Sequence, residues 1–310
     1  MTKSNDETQL AGNNLALWLA EHIQEFCRTS PENNLKNKEN DRACDEPLVG
    51  FSNGADPLYE FLQKDIGSPY MVPIEIFRKS FPDTNAKAGD LTVISWILPN
   101  IPATIADNIK ETALPSERWA RAKHFGSRFD KILSQRVIDI LNQAGYMAVA
   151  PQYTLFCTVG MSRKYGFASV WSERHAAYVS GLGTFGLCDG LITPKGKAMR
   201  CGSVIARVVV PSTPRPYTDP HAYCLYYAKE TCGKCITRCP AGAISEKGHD
   251  KQLCHEYLMG ITSPYVKTQF GIDDYGCGLC QTGVPCDIRN PVRSVENKRE
   301  PHRPSDPVHH

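Results

Sequence analysis

The sequence predicts an α+β chain: a mixed helix-and-strand α/β core followed by a small cysteine-rich module. Three observations predict it. Amphipathic helical segments and short apolar runs share the first 210 or so residues. Pro211, Pro214, Pro216 and Pro220 then fall within ten residues and mark a junction. Beyond them lie eight of the 13 cysteines, between Cys224 and Cys286. With 310 residues, 41% of them hydrophobic, the chain can bury a substantial core and is not a disordered polymer. The expected units are a helical and loop region (1–80), an α/β domain (81–215), a metal-binding module (216–292) and a tail (293–310).

Within the first unit, Leu15, Trp18, His22, Ile23 and Phe26 suggest a helix over 12–29. Residues 30–57 are rich in Asn, Asp, Glu and Lys and read as an exposed loop, with Cys44 as a bystander. The run 91–98 (LTVISWIL), ended by Pro99, suits a buried strand. A long helix should follow Pro115, with Ser116 as N-cap and Gly145 as its end. Residues 146–150, 187–193 and 203–210 read as further strands, and 172–180 as a helix running into the glycine-rich turn GLGTFG at 181–186. The start of the chain shows no apolar secretory segment or twin arginine, and no run suits a membrane helix, so a soluble cytoplasmic protein without a membrane partner is expected. The net charge of +2 offers no electrostatic case for nucleic acid.

The cysteines are spaced as Cys224, Cys232-x2-Cys235-x3-Cys239-Pro240, Cys254 and Cys277-x2-Cys280-x5-Cys286. In a reducing compartment such clusters bind metal more often than they form disulfides. Eight thiolates serve two four-iron clusters, and two zinc sites would use the same number. The C-x2-C-x3-C-P string resembles the end of a bacterial two-cluster ferredoxin run, in which the cysteine before proline serves the other cluster. A standard run has a further cysteine where this chain has Lys229, and Cys224 is the available replacement. The crossover rule then assigns one 4Fe-4S cluster to Cys224, Cys232, Cys235 and Cys286. The other takes Cys239, Cys254, Cys277 and Cys280.

The stretch 172–205, SERHAAYVSGLGTFGLCDGLITPKGKAMRCGSVI, followed by YGCGLCQTGVPC at 275–286, resembles the epoxyqueuosine reductase and reductive dehalogenase family. The resemblance spans roughly residues 90–292. It implies a nitroreductase-like α/β core that binds a corrinoid, cobalamin, reduced by two 4Fe-4S clusters of a ferredoxin-like domain. It also implies reductive cleavage of a substrate and an external ferredoxin- or flavodoxin-like electron donor. The turn residues Gly181, Leu182, Gly183 and Gly186 are then candidates to let backbone approach the macrocycle; a tight structural turn is the other reading of the same glycines. The chain departs from the epoxyqueuosine reductases in YGFASVWSER (165–174), which lacks their aspartate before the Glu-Arg pair. A helical-repeat tail is not visible either. A small-molecule substrate is therefore expected, and nucleic acid is not. An electron carrier, or a cobalamin reductase or trafficking protein, is the alternative.

Reductive cleavage needs a proton donor and a stabiliser of developing negative charge. Tyr178 is the expected donor, with Tyr153, His175 and Asp189 as further candidates. Arg174 and Arg200 are the expected stabilisers. The structural alternatives are a packing role for Tyr178 and a Glu173–Arg174 ion pair.

Overall fold

A computed structural model describes residues 5–292, with side chains described from Asn14 onward. The tail expected at 293–310 lies outside the described residues. Helix α1 (Asn5–Thr29) leads to strand β1 (Leu48–Asn53), helices α2 (Pro57–Ile66) and α3 (Pro73–Ser80), strand β2 (Thr92–Pro99), and helices α4 (Pro102–Lys110) and α5 (Glu117–Gln143). Strand β3 (Ala148–Val149), hairpin β4 (Val159–Ser162) and β5 (Gly166–Ser169), helix α6 (Glu173–Val179), hairpin β6 (Thr184–Phe185) and β7 (Leu191–Ile192), and strand β8 (Met199–Ala206) follow. The cysteine-rich part holds helices α7 (Leu225–Lys229) and α8 (Lys234–Thr237), hairpin β9 (Ile244–Ser245) and β10 (Gly248–His249), and helices α9 (Lys251–Tyr257) and α10 (Ser263–Phe270). No helix among the described residues is long and apolar enough to cross a membrane.

The main sheet has the order β1-β2-β8-β3. All three pairings are antiparallel, so the mixed fold is α+β and lacks the parallel sheet of a doubly wound α/β core. The central strand β2 is buried along its whole length. Its alternate residues divide between two cores, as the two-residue repeat of a strand requires. Ile94, Trp96 and Leu98 face α1 and α5, while Val93 and Ile97 join the core formed with α2, α3 and α6. That second core continues into the cysteine-rich part through Tyr217, Tyr223, Cys224, Cys235 and Cys286.

Several expectations hold to within a few residues. Ser116 caps α5, its side chain accepting a hydrogen bond from the Trp119 amide. Gly145 follows the end of that helix at φ +85°, a left-handed conformation that a Cβ disfavours. The expected exposed loop at 30–57 is corrected. Leu35, Ala43 and Cys44 are buried, and the segment contains β1, which pairs with β2. Asn33 closes this loop by donating to the carbonyls of Cys27 (2.8 Å) and Cys44 (3.1 Å) and accepting from the Cys44 amide (2.9 Å). Cys44 is thus a core residue rather than a surface bystander.

Candidate functional site: thiol recess and proton-donor cluster

Short helices set the spacing of the cysteines. Cys224 precedes α7, Cys235 lies in α8 and Cys254 in α9. Cys224, Cys232, Cys235 and Cys286 line one small recess, walled by Leu187, Ile192 and Lys197 among others. These are the four thiols that the crossover rule groups together. Lys229, in the place of a standard cysteine, is exposed at the end of α7.

Of the expected second set, Cys239 and Cys254 neighbour Cys277, while Cys280 lies against Cys188, next to Cys235 of the first set. Burial and the neighbouring Cys239 and Cys254 thiols push the Cys277 thiol up to about 11. Arg238 docks this region by donating to the carbonyls of Asn108, Ile109 and Glu111 on one side, and of Leu279 and Thr282 on the other. Asn108 adds a bond to the Cys277 carbonyl at 3.2 Å. Among the described residues, no three His, Cys, Asp or Glu side chains converge closely enough for one metal ion. Four sulfurs around zinc at 2.3 Å would lie only about 3.8 Å apart.

Two further residues belong to this region and went unassigned in the sequence. Lys197 is 3% exposed, and its ammonium lies 3.1 Å from the Cys188 sulfur. Burial works against the lysine charge, but the Cys188, Cys286, Cys280 and Cys235 thiols reverse this and hold the ammonium above its ordinary range. Cys188 is held low by hydrogen bonding with Cys235 and Cys280 and by Lys197.

A separate polar cluster lies on the α5 side of the sheet. Tyr153 donates its phenol proton to Asp130 at 2.6 Å. The other Asp130 oxygen accepts from the Trp96 indole at 2.7 Å. Arg200, from β8, attracts the buried Asp130 carboxylate and is fixed by a bond to the Ala122 carbonyl at 3.2 Å. Two glycines make the room. A Cβ at Gly202 would sit 2.3 Å from the Asp130 carboxylate, and one at Gly126 would meet the Arg200 side chain at 3.3 Å. Burial raises the Asp130 carboxyl, while Tyr153 and Trp96 oppose that rise. Burial and the Asp130 charge both push Tyr153 well above the ordinary phenol range.

The other expected catalytic residues are placed differently. Tyr178 is buried and stacks on Tyr217, with ring centroids 5.4 Å apart, which is a packing role. Arg174 donates to the Asp189 carbonyl at 2.6 Å and is exposed. Its expected partner Glu173 turns inward, and both carboxylate oxygens are buried without a hydrogen-bond partner. Burial pushes the Glu173 carboxyl well above the usual range. His175 bonds to the Ser172 hydroxyl at 2.8 Å, and burial pushes it down to about 3, so it carries no proton to give as imidazolium at neutral pH.

The glycine-rich turn is filled by the chain itself. A Cβ at Gly183 would lie 2.3 Å from the Ile192 carbonyl oxygen. One at Gly181 (φ +80°) would meet the Pro214 carbonyl at 2.8 Å, and one at Gly186 the Ile192 side chain at 3.2 Å. Leu182 is buried in the second core. On the side a Cβ would occupy, these glycines accommodate the chain's own backbone and side chains, as a tight structural turn requires. Gly183→Val is therefore expected to cost about 1–3 kcal/mol through overpacking. A lowered thermal midpoint checks this; an unchanged midpoint with lost cobalamin affinity would return the turn to a cofactor site.

No family model matches the chain. In sequence it resembles epoxyqueuosine reductases. It is 30% identical over 119 residues to those of Bacillus anthracis and Bacillus cereus, a match covering 37% of this chain. The match spans only 29% of the length of those relatives. Similar solved structures include an epoxyqueuosine reductase with an epoxyqueuosine-modified tRNA stem loop (TM-score 0.49, 17% identity, 88% of this chain and 66% of that one). A catabolic reductive dehalogenase with 3-bromo-4-hydroxybenzoic acid is another (TM-score 0.49, 14% identity, 92% of this chain and 38% of that one). These relatives are enzymes, and one of them is solved with a nucleic acid.

Proposed function

We propose that this protein is an iron–sulfur reductase that delivers electrons and a proton to an organic substrate. The observation that carries this is the recess lined by Cys224, Cys232, Cys235 and Cys286. Bound to the two cysteine sets, four-iron clusters would supply electrons one at a time. An external ferredoxin- or flavodoxin-like donor would replace them. Reductive cleavage of a carbon–halogen bond consumes two electrons and one proton and releases halide. Tyr153 is the proton donor in this reading: it is 38% exposed, so substrate can reach it, while Asp130 fixes its phenol. Arg200 beside Asp130 supplies positive charge for a leaving anion.

A corrinoid is the electron acceptor that the family resemblance implies. The glycines at 181–186 are accounted for by the chain's own packing on the side a Cβ would take, and no step is drawn through the corrinoid. The substrate has two readings. The near-neutral chain favours a small molecule, while the sequence match to epoxyqueuosine reductases favours a modified tRNA. The test starts with anaerobically purified protein, expected to be brown with about eight irons per chain. Turnover is then compared on a halogenated phenol and on an epoxyqueuosine-containing tRNA stem loop. Zinc in place of iron overturns the reading, and iron without turnover on either substrate leaves an electron carrier.

A further inference from the structure

We propose that Lys197 sets the reduction potential of the cluster held by Cys224, Cys232, Cys235 and Cys286, with Cys188 anchoring its ammonium. This rests on the cluster reading above. Lys197 is almost fully buried and lines the same recess as those four thiols. Its Nζ lies 3.1 Å from the Cys188 sulfur, and the ion pairs recorded among the described residues give it no carboxylate partner. Burying an ammonium costs several kcal/mol unless negative charge faces it. Here the facing groups are sulfurs.

The backbone holds the lysine in that position. Its amide donates to the carbonyls of Cys286 (2.9 Å) and Asp287 (3.2 Å), so the lysine is tied to a proposed ligand loop. Gly196, at φ +81°, permits the approach, since a Cβ there would lie 2.1 Å from the Asp287 carbonyl oxygen. Gly190 leaves room for the lysine stem, for its Cβ would meet Lys197 Cδ at 3.3 Å and the Cys188 sulfur at 3.4 Å. A cation fixed beside a cluster favours the state carrying one more electron. Net charge and hydrogen bonds at the sulfurs are among the main controls on cluster potential. Lys197 also neighbours Cys280 of the other set, but it lines this recess and its amide is bonded to the Cys286 carbonyl, so its charge acts chiefly on this cluster and makes it the easier one to reduce; it acts through the cluster rather than on the substrate.

The test is an anaerobic redox titration, followed by electron paramagnetic resonance, of the whole protein and its Lys197→Met and Lys197→Arg variants. Lys197→Met is expected to keep about eight irons and to lower one potential only. At a fixed ambient potential the ratio of reduced to oxidised cluster should fall at least tenfold, which is 59 mV for one electron. The shifted signal should be the one that disappears in Cys224→Ala, and Lys197→Arg should stay near the parent protein. Unchanged potentials in Lys197→Met overturn the assignment. Should that variant lose its cluster, Lys197→Gln and Lys197→Arg decide: a fall confined to Gln supports the assignment, and equal shifts overturn it. A parent protein without iron would instead overturn the cluster reading itself.

Discussion

Cys224→Ala should lose one cluster and keep the other, taking iron from about eight atoms per chain to about four. The effect is expected to be this large because, in the proposed ligand assignment, Cys224 stands in for the ligand missing at Lys229. The recess places it with Cys232, Cys235 and Cys286. Cys239, Cys254 and Cys277 form a separate neighbourhood. Removing one thiol from the first set should therefore leave the second assembled, and turnover should vanish with the lost cluster. Iron analysis and visible absorption on one anaerobic preparation check this. Both clusters retained in Cys224→Ala would remove Cys224 from the ligand set. Loss of all iron would show that the two sets assemble only together.

Tyr153→Phe is expected to lower turnover about 10²- to 10⁴-fold, the range for a positioned general acid. Iron content and thermal midpoint should stay near those of the parent protein, since the phenol is partly exposed and its ring remains. Tyr178→Phe should keep most of its turnover, because that ring is packed against Tyr217 and Phe185. The sign of the pH dependence follows from the raised Tyr153 value. A phenol held above its ordinary value of about 10 keeps its proton as pH rises, so Tyr153 sets no alkaline limit below about pH 10. Full turnover in Tyr153→Phe together with a dead Tyr178→Phe would exchange the two roles.

The sequence showed clearly what local chemistry decides. Ser116 and Gly145 bound α5 because caps and left-handed turns depend on near neighbours. The run before Pro99 is a strand because its apolar residues are continuous. Strand β1 was hidden by its polar surroundings, and only pairing with β2 makes it a strand. The same limit applies at the site. Tyr153 and Asp130 lie on different elements and meet only through the sheet. Adjacent Glu173 and Arg174 look like a pair in sequence, yet the helix turns them apart, one to the interior and one to the Asp189 carbonyl. Lys197 and Cys188 meet because the β6–β7 hairpin reverses the chain between helix α6 and strand β8.

If the proposed iron–sulfur clusters are bound, Arg238 bears on how iron enters and leaves. Its bonds run to main-chain carbonyls at Asn108, Ile109, Glu111, Leu279 and Thr282, and none of them involves a sulfur. The backbone around Cys277 and Cys280 is thus pinned to the end of α4 by bonds that do not depend on metal. Much of the ordering entropy of that loop is met during folding rather than at cofactor insertion. In that reading, a chain stripped of iron is expected to keep its Cys277–Cys280 loop docked, ready for reconstitution.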